Sequence, residues 1–425
     1  MKIRSFPMKA LFQKKSWHMY RLCLVAGSFI LPIQFLTAQS LQELLRLAEN
    51  NNPRIQAYEL RYSLAGEKIL EANTLPDTEV SAGFFVSEPE TRTGAQKARF
   101  SVRQMLPWFG TITAREHYAG AMAETEFVAL SIERRQLALD VALAYYSLYT
   151  NGEQQGVIEE NMTLLETYEQ QALAAVEGGQ ASAVDVLRIQ IRENELKERL
   201  AALKEEHKAK AAALNGLLNR DSHSEIKIVD KLWIPAEDPA AREEMVSVHP
   251  ELLKYDKLYK SVEQSELINQ KERAPNLGLG LDYVPVQERA GMSFGDNGKD
   301  IVMPMVSVSV PIFNSTYNSR SRQNTLRQQE LMAQRKDREN MLRSKLESAR
   351  AYRNAARIRY ETQIENLEQA RNAEQILIRN YETGAMDFDD VLDIQELQLK
   401  FQLNQIEALE DYFSGNALIN YLVSA

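Results

Sequence analysis

The chain has 425 residues, 44% hydrophobic and 26% charged, with 50 basic against 59 acidic side chains. That acidic balance argues against a nucleic-acid partner, because phosphate binding needs a net basic surface. Its single cysteine, Cys23, falls in a segment expected to be removed, so disulfides, zinc–thiolate sites and cysteine nucleophiles are excluded together.

Residues 1–38 have the layout of a secretory signal. Lys2, Arg4, Lys9, Lys14, Lys15 and Arg21 precede an apolar run from Leu22 to Leu36, followed by Thr37-Ala38-Gln39. The run is about fifteen residues long and is interrupted by Pro32 and Gln34, short of the roughly twenty that span a bilayer as a helix. Cleavage is expected after Ala38, and because Cys23 opens the apolar run, a lipid-anchored cysteine is not expected. Removal of this segment changes the balance to 44 basic against 59 acidic residues, a net charge of −15. No later stretch approaches the length of a membrane helix. If the mature chain enters a membrane, it does so with β-strands, which need only about ten alternating residues each.

A helix is expected from Leu41 to about Asn73, then a strand over Thr78–Val86, where Val80, Ala82, Phe84 and Val86 alternate with Glu79, Ser81, Gly83 and Phe85. Phe100 and Val102 alternate with Arg99, Ser101 and Arg103 in a second strand. Pro107 removes a ladder donor where that strand must turn. From Thr113 to about Val176 the chain is proline-free and rich in Ala, Glu, Gln and Arg, which predicts a helix of about 95 Å at 1.5 Å per residue. Gly178-Gly179 marks a turn, and a returning helix runs from Ser182 to about Leu218.

The same plan then recurs. A helix follows His249-Pro250, Leu277, Leu279, Leu281 and Tyr283 alternate with Gly278, Gly280 and Asp282, and Val306, Val308 and Val310 alternate with Ser307 and Ser309 up to Pro311. A second long helix is expected from Ser315 to Tyr381, a turn at Gly384, and a return from Phe388 to the C-terminal region. Val184, Leu187 and Ile191, like Leu399, Leu403 and Ile406, keep the 3–4 spacing of antiparallel coiled coils. Specific echoes tie the halves together. Asn52-Pro53 answers His249-Pro250, Leu106-Pro107-Trp108-Phe109-Gly110 answers Val310-Pro311-Ile312-Phe313-Asn314, and Asp185-Val186-Leu187 answers Asp390-Val391-Leu392. An offset near two hundred residues is a duplication, with repeats expected at 39–235 and 236–425.

Four strands with one apolar and one polar face suit lipid outside and water inside. They cannot close a barrel alone, because such barrels begin at eight strands and open edges are not tolerated in lipid. Two chains would supply eight strands and three would supply twelve.

The duplication, the two strand-end segments and the pattern Tyr381-x-x-Gly384 followed by Asp390-Val391-Leu392-Asp393 resemble the TolC family of outer-membrane efflux channels, over nearly the whole mature chain. The resemblance implies a mainly α fold with a small β part. Long helical hairpins would form a periplasmic α-barrel, and four strands per chain would join a shared twelve-stranded β-barrel in the outer membrane of a homotrimer. It implies a passive conduit in a tripartite efflux or type I secretion system, fed by an inner-membrane pump through a periplasmic adaptor. The adaptor would dock at the tips, around Gly178, Gly179, Gln180 and Ala181 and around Thr383, Gly384, Ala385 and Met386. Asp390 and Asp393 match the family's gating aspartates and would form two carboxylate rings that favour cations. Tyr381 and Asp185 match a locking pair, while Met386 stands where the family has an arginine. The glycines equally suit the positive φ of tight turns, and Asp390 and Asp393 the acidic preference of a helix start.

No enzymatic constellation is expected, and no cofactor or metal. His117, His207, His223 and His249 lack ligand spacing, and Gly278-Leu279-Gly280 fits strand positions. Met303-Pro304-Met305 suggests copper but is assigned to packing. The alternative of another class is a periplasmic coiled-coil adaptor or scaffold without its own pore, against which two hairpins and two strand pairs argue.

Overall fold

In a computed structural model of the chain, the described residues are 40–423 without 180–181, 229–230, 240–242 and 383–387. The signal segment and the tip residues Gln180, Ala181, Thr383, Gly384, Ala385 and Met386 lie outside them.

The expected first helix is two. α1 (Leu41–Asn51) begins in a capping box, with the Glu43 amide donating to Ser40 Oγ and the Ser40 amide to the Glu43 carboxylate. Asn52 ends α1 and caps α2 (Pro53–Ala72), its Oδ1 accepting from the Arg54 amide at 2.9 Å. The break lies at Asn52-Pro53 because a proline has no amide to continue α1 but fits the first turn of a new helix.

β1 (Thr78–Phe84), β2 (Glu90–Thr91), β3 (Gly94–Gln96) and β4 (Ala98–Leu106) follow. α3 (Thr111–Glu177) then runs for 67 residues, about 100 Å, and returns as α4 (Ala183–Leu217). The second set comprises α5 (Pro250–Glu272), β5 (Asn276–Val284), β6 (Val286–Gln287), β7 (Ile301–Ser309), α6 (Thr316–Glu382) and α7 (Phe388–Val423).

The returning helices are about half as long as the outgoing ones. α4 therefore covers only the distal part of α3, and α1, α2 and α5 take over along the rest, where Tyr62 of α2 meets Phe127 of α3 at 5.5 Å between rings. One apolar core joins Leu44, Ile55, Leu137, Tyr145, Leu148 and Leu214 beneath α1. Another joins Ile158, Leu165, Tyr168, Ile189, Phe388 and Val391 toward the tips.

β1, β4, β5 and β7 form one antiparallel sheet in that order, so that the two strand pairs sit side by side through β4–β5. The short β2, β3 and β6 form a second sheet beyond its end. Its two loops are tied by Arg92–Asp296 at 2.8 Å, Arg289–Glu90 at 2.7 Å and the Gly298 amide donating to Thr93 O at 2.8 Å. Gly94, at φ +136°, lies so close to the Gln287 carbonyl that no side chain fits.

Candidate functional site

The register of the four-stranded sheet sorts its side chains. Val80, Val102, Leu281 and Pro304 form one row across it and Ala82, Phe100, Tyr283 and Val302 the next, all on one face. Nothing in the described chain covers that face, where Val80 is 76% and Phe84 79% exposed. The rings of Phe84, Phe100 and Tyr283 form a ladder at 6.4 and 6.3 Å. Exposed Phe109 and Phe313 follow the strand ends in the two echoed segments, Trp108 and Phe109 edge to face at 5.7 Å.

The opposite face carries Glu79 across from Arg103, and Ser101 in line with Asp282. Asp282 is fully buried and bonded to Arg99. Met303 and Met305 also lie on this face, together with Ile301 and Val284, and the Met305 methyl lies 3.3 Å from where a Cβ on Gly280 would stand. Both outer strands, β1 and β7, have an open edge. Pro304, which has no N–H to donate, is tolerated because it stands in such an edge strand. Among the described residues no helix is long and apolar enough to cross a membrane.

The tips are built differently. α3 ends at Gly178 (φ −76°), and Gly179 adopts φ +69°, so of these two glycines it is Gly179 that takes the turn geometry glycine favours. Ser182 caps α4, and Asp185 completes a capping box by accepting from the Ser182 amide at 3.3 Å. Tyr381 lies near Asp185. Burial, then the Asp185 charge, pushes its phenol above the usual tyrosine pKa. The Tyr381 ring packs on Phe388 at 5.0 Å, and Phe388 meets Tyr168 edge-on at 5.7 Å.

α7 presents Asp390 and Asp393 to solvent while Val391 and Leu392 between them are buried. Neither aspartate has an ion-pair partner among the described residues. Three ties between the hairpins were not visible in the sequence. Arg188 on α4 pairs with Asp389 on α7, and one turn further on Arg192 pairs with Glu396. Glu374 of α6 accepts from Tyr168 Oη at 3.0 Å, from Gln398 Nε2 at 2.8 Å and from Gln395. Burial, then the Glu374 charge, raises the Tyr168 pKa. A signal existed in the spacing, since Arg188 and Arg192 stand on one helix face and Asp389 and Glu396, seven apart, on another.

No protein-family model matches the sequence, and no curated protein matches it. Solved structures match by fold. The outer membrane protein VceC of Vibrio cholerae superposes with a TM-score of 0.72 at 14% identity, covering 91% of this chain and 96% of that one. CusC, described in terms of transmembrane channel formation, gives 0.75 at 14% identity, with 91% and 92% covered. The open state of the MtrE outer membrane channel of Neisseria gonorrhoeae gives 0.67 at 18% identity, with 89% and 88% covered. Long helices and a four-stranded sheet in this order, over nine-tenths of the chain, are the TolC-type outer-membrane channel fold.

Proposed function

We propose that the chain, without residues 1–38 and organised as repeats 39–235 and 236–425, is the outer-membrane duct of a tripartite efflux or type I secretion system. The observation that carries this reading is the uncovered apolar face of a sheet with two open edges. In water such a face and such edges aggregate; in lipid the face is satisfied, and the edges are satisfied once copies join β7 to β1. Three copies give twelve strands, and the helices, about 100 Å long, extend the duct into the periplasm. A chain of this design passes cargo without transforming it. Its partners are a periplasmic adaptor, docking at the tips around Gly178 and Gly179, and the inner-membrane pump that selects the cargo.

The gate belongs at the same tips. Three-fold copies of Asp390 and Asp393 make carboxylate rings that favour cations. Tyr381 near Asp185 supports the lock, and Arg188–Asp389 with Arg192–Glu396 supplies cationic ties that Met386 cannot.

Fractionation and conductance test the duct. The expected product is a detergent-requiring, heat-modifiable trimer in the outer membrane that conducts ions in planar bilayers; release by osmotic shock alone overturns it. Asp390→Ala with Asp393→Ala is expected to change single-channel conductance and abolish block by multivalent cations. Co-purification of an adaptor and a pump tests the partners.

A further inference from the structure

We infer that α6 of one copy of the chain seats on α2 of the next copy, in the place that α5 takes on α3 within the chain. This seam rests on the duct reading above, which brings copies side by side.

The duplication supplies the measure. α3 and α6 each have 67 residues, so Thr111 corresponds to Thr316, and Pro53 of α2 corresponds to Pro250 of α5. The correspondence keeps like with like: Leu137 and Val141 match Leu342 and Leu346, all buried, and Arg115 and Arg320 both pair with Glu272. Each long outgoing helix packs on the short helix of its own repeat, but α3 has a second neighbour in α5. α5 runs antiparallel to it, tied by Lys257–Glu124 at 2.7 Å and Arg115–Glu272 at 2.8 Å. Flanked by those ties, Ala114, Ala121, Thr125 and Val128 form a stripe on α3, none of them more than 7% exposed. Their counterparts on α6 are Ser319, Leu326, Glu330 and Ala333, all exposed, with Leu326 at 64%.

The matching face of α2 is open in the same way. Lys257 and Gln264 of α5 line the groove with α3, and Ser261 lies on the same stripe, buried. Their counterparts on α2 are Leu60, Glu67 and Leu64, all exposed, the leucines at 70% and 55%. Carrying the antiparallel register over sets Leu64 level with Leu326, and exposed Glu67 and Glu71 level with exposed Arg322. Apolar side chains then meet at the centre of the seat and opposite charges at its sheet-side end. The occupied side of α6 is closed to α2 by charge. The ion pair inside each repeat is exchanged in sign, Arg54 bonding Glu133 where Glu251 bonds Arg338. An α2 in the place of α5 on α6 would set Arg54 against Arg338, and this repulsion directs α2 to the open seat. Such a contact joins unlike faces, so repeating it from copy to copy builds a ring.

Cys23 is the only cysteine and lies in the expected signal segment, so Leu64→Cys with Leu326→Cys reads the seam directly. Envelopes carrying the double variant, treated with a short bismaleimide, are expected to yield covalent dimers and trimers on denaturing gels. Either single variant is expected to yield none, because one side of a seam between unlike faces then carries no thiol. Glu67→Arg with Glu71→Arg is expected to weaken association in detergent by up to about fivefold per seam, the effect of one exposed ion pair, and Arg322→Glu added to it is expected to recover part of that loss. If the cysteine variant fails to assemble, this charge reversal decides. Charge reversal without loss, or no covalent ladder from a double variant that still runs as a heat-modifiable, conducting trimer, overturns the seam and leaves the duct standing. A covalent ladder from a chain that does not conduct sinks the duct alone.

Discussion

α6 is held by different physics along its length. Toward the tips it shares a core with α3, α4 and α7 through Tyr168, Ile189, Phe388 and Val391, all buried. Toward the sheet it meets α5 first through a small apolar core of Leu252, Leu342 and Leu346 and then across polar side chains. Arg338 bonds Glu251, Arg335 Nε donates to Asp256 at 2.7 Å, Ser321 and Asn324 donate to Glu266 at 2.6 and 2.8 Å, and Arg320 pairs with Glu272 at 3.1 Å. Between that core and the sheet little apolar area is buried between the two helices, so directed bonds set the register there. The tip hairpins bury a true core, and their register is set by packing.

Emptying the tip core breaks that contrast most directly. Phe388→Ala is expected to cost about 3–5 kcal/mol, the range for removing a buried aromatic, read by thermal or denaturant unfolding of the trimer. A loss below about 1 kcal/mol would mean that the tips are not a packed core. Next is Glu251→Ala, which strands the Arg338 guanidinium. Because the Arg338 side chain keeps 29% exposure, the expected loss is about 2–3 kcal/mol, less than for a sealed pair.

Acid separates the two regions without mutation. Burial opposes ionisation of Glu251, but hydrogen bonds from Arg338 and Tyr421 and the Arg338 charge outweigh it and hold its pKa below the usual carboxylate value. Burial also opposes ionisation of Glu266, and bonds from Ser321, Asn324, Gln270 and Asn269 outweigh it. A carboxylate depressed in the folded state contributes stability above its unfolded pKa, near 4.5, and loses it as pH falls through the folded value. Amide exchange of α5 and the facing half of α6 is therefore expected to accelerate between about pH 5 and pH 3, ahead of the tip segments of α3 and α7. Simultaneous loss in both regions would erase the distinction.

Much of this was legible because period encodes surroundings. The strands alternate because one face of the sheet is apolar and the other mainly polar, and the long proline-free runs fold as helices. The α1–α2 break was legible in principle at Asn52-Pro53, where a cap and a first-turn proline coincide, but continuous helical patterning on both sides masked it. Ties such as Arg188–Asp389 join residues about two hundred positions apart, and composition cannot say which of many exposed charges meet. The second sheet of β2, β3 and β6 has strands of two or three residues, too short to show a period.

The smallest expected effect on stability falls at the proposed gate. Arg188 and Asp389 are 47% and 45% exposed and Arg192 and Glu396 39% and 54%, so each pair contributes only about 0.2–1 kcal/mol to folding. Arg188→Ala with Arg192→Ala is therefore expected to leave the unfolding transition nearly in place. Six such pairs in a trimer nevertheless sum to roughly 1–6 kcal/mol between closed and open tips, enough to move an opening equilibrium by one to several powers of ten. The double variant should conduct more often or at a higher level at low ionic strength, and raising salt should bring the native channel toward it. Unchanged conductance would leave closure to the Tyr168–Phe388–Tyr381 stack and the Glu374 bonds, whose packing is insensitive to salt. A tie near half exposure suits the proposed gate, because a buried pair would be too costly to break on each opening.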